Sequence, residues 1–180
     1  MTAGSGLAGR VALVTGASGG IGQAIARRLA AEGALLALAY GTRAAQAEAL
    51  AANIADGGGK AVAVRADLRG PRAPGELVRA VEEALGPVDL LVSNAGLGRR
   101  QSLEEISSDD FDEMLAVNLR APAPVAGTGM LPGDPGQLRE QVPAGRLGRP
   151  AEVADLAIAI LGNAYLTSQV ISLDGGMHPR

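Results

Sequence analysis

The sequence lacks, or has very few of, several residue types on which common protein chemistries depend. Its 180 residues include no cysteine, a single histidine and only 2% aromatic residues. Without cysteine the chain has no disulfide scaffold, no thiolate nucleophile and no cysteine zinc site. The one histidine, His178, lies in a tail of Gly, Met, Pro and Arg residues, so we expect no metal site. With so few aromatics, the core must consist of Val, Leu, Ile and Ala.

Long apolar runs and an excess of basic charge are also missing. The densest apolar run, Ala34–Tyr40, is seven residues long, whereas a membrane span needs roughly 18. The formal net charge of −3 argues against a nucleic-acid ligand, which would need a basic face. The segment Met1–Gly9 has neither a charged nor an apolar stretch, so it is not typical of a signal peptide. We therefore expect a cytoplasmic protein that binds neither membranes nor nucleic acids.

Apolar runs alternate with amphipathic segments through the first two thirds of the chain. Continuous apolar runs predict buried strands, and apolar residues recurring every three or four positions predict helices. The predicted strands are Arg10–Val14, Ala34–Tyr40, Ala61–Arg65 and Val88–Val92. The predicted helices run from Ile21 to Gly33, over Ala44–Ala55, from Pro74 to Gly86, and over Phe111–Leu119 behind the capping pair Ser107 and Asp110. This order predicts an α/β fold with a doubly wound parallel sheet and helices on both faces.

The last third is less regular. Pro and Gly interrupt the stretch from Ala121 to Pro135, so it is predicted to be loop. A helix is predicted over Pro150–Leu161, with Val153, Leu156 and Ile160 on one face, and a short strand over Val170–Leu173. We expect one domain over residues 1–180, interrupted near residues 121–128.

The strongest chemical signal is the glycine-rich segment Thr15–Gly22, which lies between a predicted strand and a predicted helix. Glycines there let the backbone approach a pyrophosphate, and the helix N-terminus supplies N–H donors. The segment therefore favours a dinucleotide site. The alternative is a tight turn between strand and helix that holds no ligand.

Further motifs occur in a consistent order, and together with the glycine segment they carry a family resemblance. They are Asp67-Leu68, Asn94-Ala95-Gly96, Asn118, Gly148-Arg149-Pro150-Ala-Glu-Val153 and Val170-Ile-Ser-Leu-Asp-Gly-Gly176. The chain resembles the short-chain dehydrogenases/reductases, and within them the 3-oxoacyl-acyl-carrier-protein reductases, over nearly all of residues 7–120 and 128–177. The resemblance implies a Rossmann-like domain, a nicotinamide cofactor and a homotetramer.

The resemblance also implies roles for individual residues. The cofactor phosphates and ribose would lie against Gly16, Ser18, Gly19, Ile21 and Gly22. Adenine would contact Asp67 and Leu68, the nicotinamide ribose would pass Asn94, Ala95 and Gly96, and the carboxamide would meet Thr128. Taken alone, Asp67 is also explained as a cap at a strand end. Thr15 is expected to be structural, with its hydroxyl tying the glycine segment to the neighbouring strand.

The choice between NADP and NAD follows from the residues after the second strand. NAD selection uses an acid about 20 residues past the glycine segment, and no acid occurs in Leu38-Ala-Tyr-Gly-Thr-Arg43. Arg43 is suited to pair with a 2′-phosphate, with Thr42 as a hydroxyl donor. This favours NADP over NAD. The alternative for Arg43 is an exposed arginine in the first turn of a helix.

By the resemblance, the family's chemistry requires a Ser on one strand and a Tyr-x-x-x-Lys on the helix that follows. The segment that would carry them is missing from this sequence. The only tyrosines are Tyr40 and Tyr165, the only lysine is Lys60, and none of them forms the motif. By the resemblance only Asn118, which belongs to a water relay behind the Lys, remains of the catalytic set. Its alternative is a helix residue that bonds adjacent backbone. Either the sequence omits a segment of a longer enzyme, or the deletion is real and leaves the first and fourth strands with an exposed edge and apolar face.

Two functions follow from this pattern. The first is an NADPH-dependent reductase of a carbonyl, with a 3-oxoacyl thioester of fatty-acid biosynthesis as substrate, free or bound to acyl carrier protein. The pair Arg99-Arg100 would suit an acidic carrier protein, although an ordinary solvated pair explains it too. The second is a catalytically inactive remnant, internally deleted, that still binds a nucleotide.

Overall fold

A parallel sheet of four strands forms the centre of the fold. The computed structural model describes residues 6–70, 72–98, 101–119, 144–146, 148–163, 171 and 173. The strands are β1 (Val11–Thr15), β2 (Leu35–Tyr40), β3 (Lys60–Arg65) and β4 (Leu90–Val92), in the order β3-β2-β1-β4. Every neighbouring pair is parallel. The prediction of a parallel α/β sheet is confirmed.

The helices within the described residues follow the predicted alternation. They are α1 (Gly20–Ala31), α2 (Ala44–Asp56), α3 (Ala73–Leu85), α4 (Ser108–Met114) and α5 (Pro150–Leu161). A short 3-10 turn, Leu103–Glu105, precedes α4, and a wider π-helical turn, Leu115–Leu119, follows it. The single helix predicted over Phe111–Leu119 therefore begins earlier and changes its winding at Leu115. At its start, the predicted pairing of Ser107 with Asp110 is confirmed as a capping box.

Successive residues of β1 pack on opposite faces of the sheet, as the alternation of side chains along a strand requires. Ala12 and Val14 belong to an apolar cluster with α1, α2 and α5, whereas Val11 and Leu13 belong to a second cluster with α3. All five residues of β1 are buried, which explains why the strand has no polar alternation. Helices on both faces give the predicted three-layer arrangement.

Two expectations about packing need correction. β1 and β4 were the two strands expected to have an exposed edge if the deletion is real. β1 lies between β2 and β4, so it has no exposed edge. β4 does end the described sheet, and its Leu91 is 61% exposed. In α5, the residues that are fully buried are Ala154 and Ile158. The three apolar residues predicted to share the packed face, Val153, Leu156 and Ile160, are half-buried, and of these Val153 packs against the first cluster.

Several predicted features fall outside the described residues. They are Thr128, the loop from Ala121 to Pro135, the pair Arg99-Arg100, Tyr165, His178 and two of the four residues of the strand Val170–Leu173. Among the helices that the structure does describe, none combines the length and the apolar character that crossing a bilayer requires.

Candidate nucleotide-binding site

One cleft of about 550 Å³ lies where the carboxyl ends of the four strands meet. In a doubly wound sheet this is the edge at which ligands bind, because the loops that follow neighbouring parallel strands converge there. The predicted site residues within the described part of the chain that line the cleft are Gly16, Ser18, Gly19, Ile21, Gly22, Thr42, Arg43, Asp67, Leu68, Asn94, Ala95 and Gly96. Their roles toward a cofactor stay predictions.

The glycine segment forms the floor of this cleft by close backbone packing. Gly16 has a φ of +63°, and a Cβ on it would lie 2.9 Å from the Cα of Ala95. A Cβ on Gly22 would lie 2.5 Å from the carbonyl oxygen of Gly16. The turn is closed by the Gly19 N–H, which donates to the Gly16 carbonyl at 3.0 Å. Only glycine fits these two positions, so the loop presents bare backbone at the start of α1.

Thr15 joins the end of β1 to the loop after β4. Its Oγ1 accepts hydrogen bonds from the N–H groups of Asn94 and Ala95, each at 3.0 Å, and donates to the Val92 carbonyl at 3.4 Å. The Asn94 side chain donates to the Thr15 carbonyl at 2.9 Å and to the Gly16 carbonyl at 3.2 Å. The structural role predicted for Thr15 is confirmed. These bonds hold the two loops that line the cleft at a fixed separation.

Replacing Thr15 with valine should destabilise the fold by about 2 kcal/mol, because it leaves two backbone N–H groups without their acceptor. The side chain is only 5% exposed, so water does not readily replace the lost hydroxyl. Thr15→Ser keeps the acceptor and is the matched control. Denaturant unfolding of both variants measures the effect. Equal stability of the valine and serine variants would contradict this account of the loop.

Two arginines give the cleft a cationic side. Arg43 stands at the N-terminus of α2, and Arg65 ends β3, where its Cα pairs in register with Tyr40. Both are exposed, both line the cleft, and neither has an ion-pair partner among the described residues. Arg65 was not predicted. Its place as the last residue of a parallel strand, two positions before Asp67, is the signal that indicates it.

Asp67 is bonded to a nearby arginine that sequence reasoning also missed. Hydrogen bonds from the Arg69 guanidinium lower the pKa of Asp67 from 3.8 to about 2, so its carboxylate is ionised at neutral pH. Both residues line the cleft. The bond from the Arg69 N–H to Asp67 Oδ1, at 3.2 Å, has the form of an Asx turn. Asp67 therefore both caps the end of the strand locally and lines the cleft, so the two explanations are compatible.

Asn118 lies beside the cleft rather than in its lining. Its Oδ1 accepts from the Leu97 N–H at 2.7 Å, and its Nδ2 donates to the Leu97 carbonyl at 2.6 Å. The alternative to a catalytic role was a bond to adjacent backbone; the partner is backbone, but it belongs to a loop 21 positions away. The catalytic role of Asn118 stays a prediction, whereas the geometry gives it a positioning role for Leu97. Leu97 and Val117, next to Asn118, both line the cleft.

Comparison with known proteins shows to which family the chain is similar. A sequence profile described as short chain dehydrogenase matches residues 10–130. The hydroxynaphthalene reductase arp2 of Aspergillus fumigatus is 41% identical over 115 residues, which cover 64% of this chain and 42% of that protein. The chain spans less than half the length of the curated relatives that it matches.

Solved structures agree with the profile. A dehydrogenase/reductase from Sinorhizobium meliloti 1021 superposes with a TM-score of 0.87 at 31% identity, covering 97% of each chain. A short chain dehydrogenase from Burkholderia cenocepacia J2315 in complex with NADP gives a TM-score of 0.79 at 31% identity, covering 87% of this chain and 92% of that one. The fold and these matches define a Rossmann-like α/β domain. The chain belongs to the short-chain dehydrogenase/reductase family of oxidoreductases, whose members bind a nicotinamide cofactor.

Proposed function

We propose that this chain binds NADP(H) in the cleft and is part of a reductase of carbonyl groups. One observation carries the proposal: the glycine cradle and two arginines without ion-pair partners in the described residues face the same cleft. The cradle suits a pyrophosphate, because only glycine allows the close backbone packing at Gly16 and Gly22 and the loop then presents bare backbone at the start of α1. Arginine pairs well with a phosphate, because its guanidinium presents several donors in a fixed plane.

The binding residues divide along the cleft. The residues Gly16, Ser18, Gly19, Ile21 and Gly22 would hold the phosphates, and Thr42 with Arg43 would bind the 2′-phosphate. Asp67 and Leu68 would contact adenine, and Asn94, Ala95 and Gly96 would contact the nicotinamide ribose. Thr128, outside the described residues, would meet the carboxamide. The NADP complex of the similar Burkholderia protein supports the choice of NADP over NAD.

The proposed reaction is reduction of a ketone, with a 3-oxoacyl thioester as the substrate class. NADPH supplies a hydride when bound. The protein's own part is to hold and orient the dinucleotide; Thr15 and Asn94 fix the loops that do so. A proton must also reach the carbonyl oxygen, and we propose that a Tyr delivers it from a segment that this sequence does not contain. The proposal includes an acyl-carrier-protein substrate, a homotetramer and a cytoplasmic location.

A second candidate is a chain that binds the nucleotide without turnover. The observation that favours it is that no Tyr-x-x-x-Lys occurs in the 180 residues. This candidate keeps the same cleft and the same nucleotide contacts, and it differs from the first only in lacking a proton donor.

Two measurements on the purified protein separate the candidates. We expect an intact mass several kDa above the 18.0 kDa of this composition, together with NADPH oxidation by an acetoacetyl thioester. A mass of 18.0 kDa with NADPH binding but no oxidation would establish the second candidate instead. Failure to bind NADPH at all would contradict both.

A further inference from the structure

The carboxylate of Asp67 is held in a fixed orientation by a two-pronged contact. Arg69 Nε donates to Oδ1 at 2.7 Å, and Arg69 Nη2 donates to Oδ2 at 2.5 Å. Two parallel bonds between a guanidinium and a carboxylate fix the plane of both groups, which a single bond from a lysine does not. The plane of the Asp67 carboxylate at the cleft is therefore determined by Arg69.

The same guanidinium reaches across to α4. Arg69 Nη1 donates to Glu113 Oε1 at 3.0 Å, and the Glu113 side chain is only 19% exposed. All three side chains line the cleft. The loop after β3 is thus anchored to the helix that leads into Asn118, whose amide bonds Leu97 in the lining of the same cleft.

Stability does not explain why this arrangement exists at the cleft. Asp67 and Arg69 side chains are each 55% exposed, and ion pairs between exposed groups contribute little to the free energy of unfolding. What the contacts do determine is the position of an acceptor. Oδ1 accepts two bonds from Arg69, whereas Oδ2 accepts only one, so Asp67 can still accept a hydrogen bond from a ligand through Oδ2.

We infer that Arg69 is a positioning residue that makes the site selective for adenine. Anchored to α4 by Glu113, it holds the Asp67 carboxylate where it accepts from the 6-amino group of the base. Hypoxanthine carries a carbonyl oxygen in place of that amino group, and two acceptors facing each other repel. This inference rests on the proposed binding of NADP(H).

The test compares two ligands that differ only at this position, NADPH and its hypoxanthine analogue. The unaltered chain should bind NADPH about tenfold more tightly than the analogue, as expected for one hydrogen bond to a charged group. Arg69→Ala should reduce this ratio to about twofold or less. Glu113→Ala, which removes the anchor to α4, should reduce it partly. Arg69→Lys should restore part of it, because lysine offers one bond instead of two.

The ratio of the two affinities distinguishes a positioning role of Arg69 from a general loss of nucleotide binding. Loss of a positive charge weakens the binding of both ligands, which share all their phosphates, and leaves the ratio of their affinities unchanged. Arg79→Ala, which removes an exposed arginine on α3 outside the cleft, is the matched control and should keep the ratio. An unchanged ratio in Arg69→Ala, with NADPH still bound, would overturn the inference and leave the proposed function standing. No NADPH binding by the unaltered chain would overturn both.

Discussion

Replacing Gly22 with alanine is expected to destabilise the fold by about 3 kcal/mol and to abolish NADPH binding. The added Cβ would lie 2.5 Å from the Gly16 carbonyl oxygen, 2.8 Å from the Ala17 Cα and 2.8 Å from Asn94 Nδ2. The first two are backbone atoms, so relief requires the loop itself to move, and forced overpacking of this kind is among the costly single substitutions. Moving the loop disrupts the surface on which the pyrophosphate would lie.

Gly75→Ala is the matched control for this prediction. Gly75 lies in the first turn of α3, and a Cβ there would meet nothing within 4 Å. Because alanine favours helix more than glycine does, this variant should be slightly more stable than the unaltered chain. Thermal unfolding and an NADPH titration of both variants measure the difference. Tight NADPH binding by Gly22→Ala would contradict the assignment of the phosphate site.

Replacing Arg43 with alanine should weaken NADPH binding about tenfold or more and leave NADH binding within about twofold. The physical reason is that only NADPH carries a 2′-phosphate, and a guanidinium bonded to a phosphate forms a charge-assisted pair. Arg43 is exposed, so the loss should shrink as ionic strength rises. Titration of the variant and the unaltered chain with NADPH and with NADH, at low and at high salt, measures both the loss of affinity and its dependence on ionic strength.

Arg27→Ala serves as the control for charge alone. Arg27 is an exposed residue of α1 that bonds Gln23, and it does not line the cleft. Its removal should change NADPH and NADH binding equally. If Arg43→Ala also changed both equally, Arg43 would be an ordinary exposed helix residue, and the preference for NADP would have to come from elsewhere in the cleft.

The alternation of strands and helices could be predicted from the sequence because buried parallel strands are continuously apolar. β1 and β2 are short runs that the core covers on both faces, and Ile21, Ile25 and Leu29 are buried at the helical spacing that predicted α1. Strand order was not predictable, since apolar runs do not specify their neighbours. That is why the alternative of a real deletion included an exposed edge on β1, which lies inside the sheet.

The glycine loop and Thr15 were predictable because their chemistry is local. The motif lies between one strand and one helix, and its glycines are needed where the backbone is close. Arg69 was not predicted, because its contact with Glu113 joins residues 44 positions apart. The bonding of Asn118 to Leu97 across 21 positions is another contact that depends on tertiary packing.

The most direct test of the central claim is a titration of the unaltered chain with NADPH and with NADH. The claim is that this cleft binds a dinucleotide through its 2′-phosphate, and the two ligands differ only in that group. We predict that NADPH binds about tenfold more tightly or better, and that the difference narrows as salt is added. Equal affinities, or tighter binding of NADH, would contradict the claim.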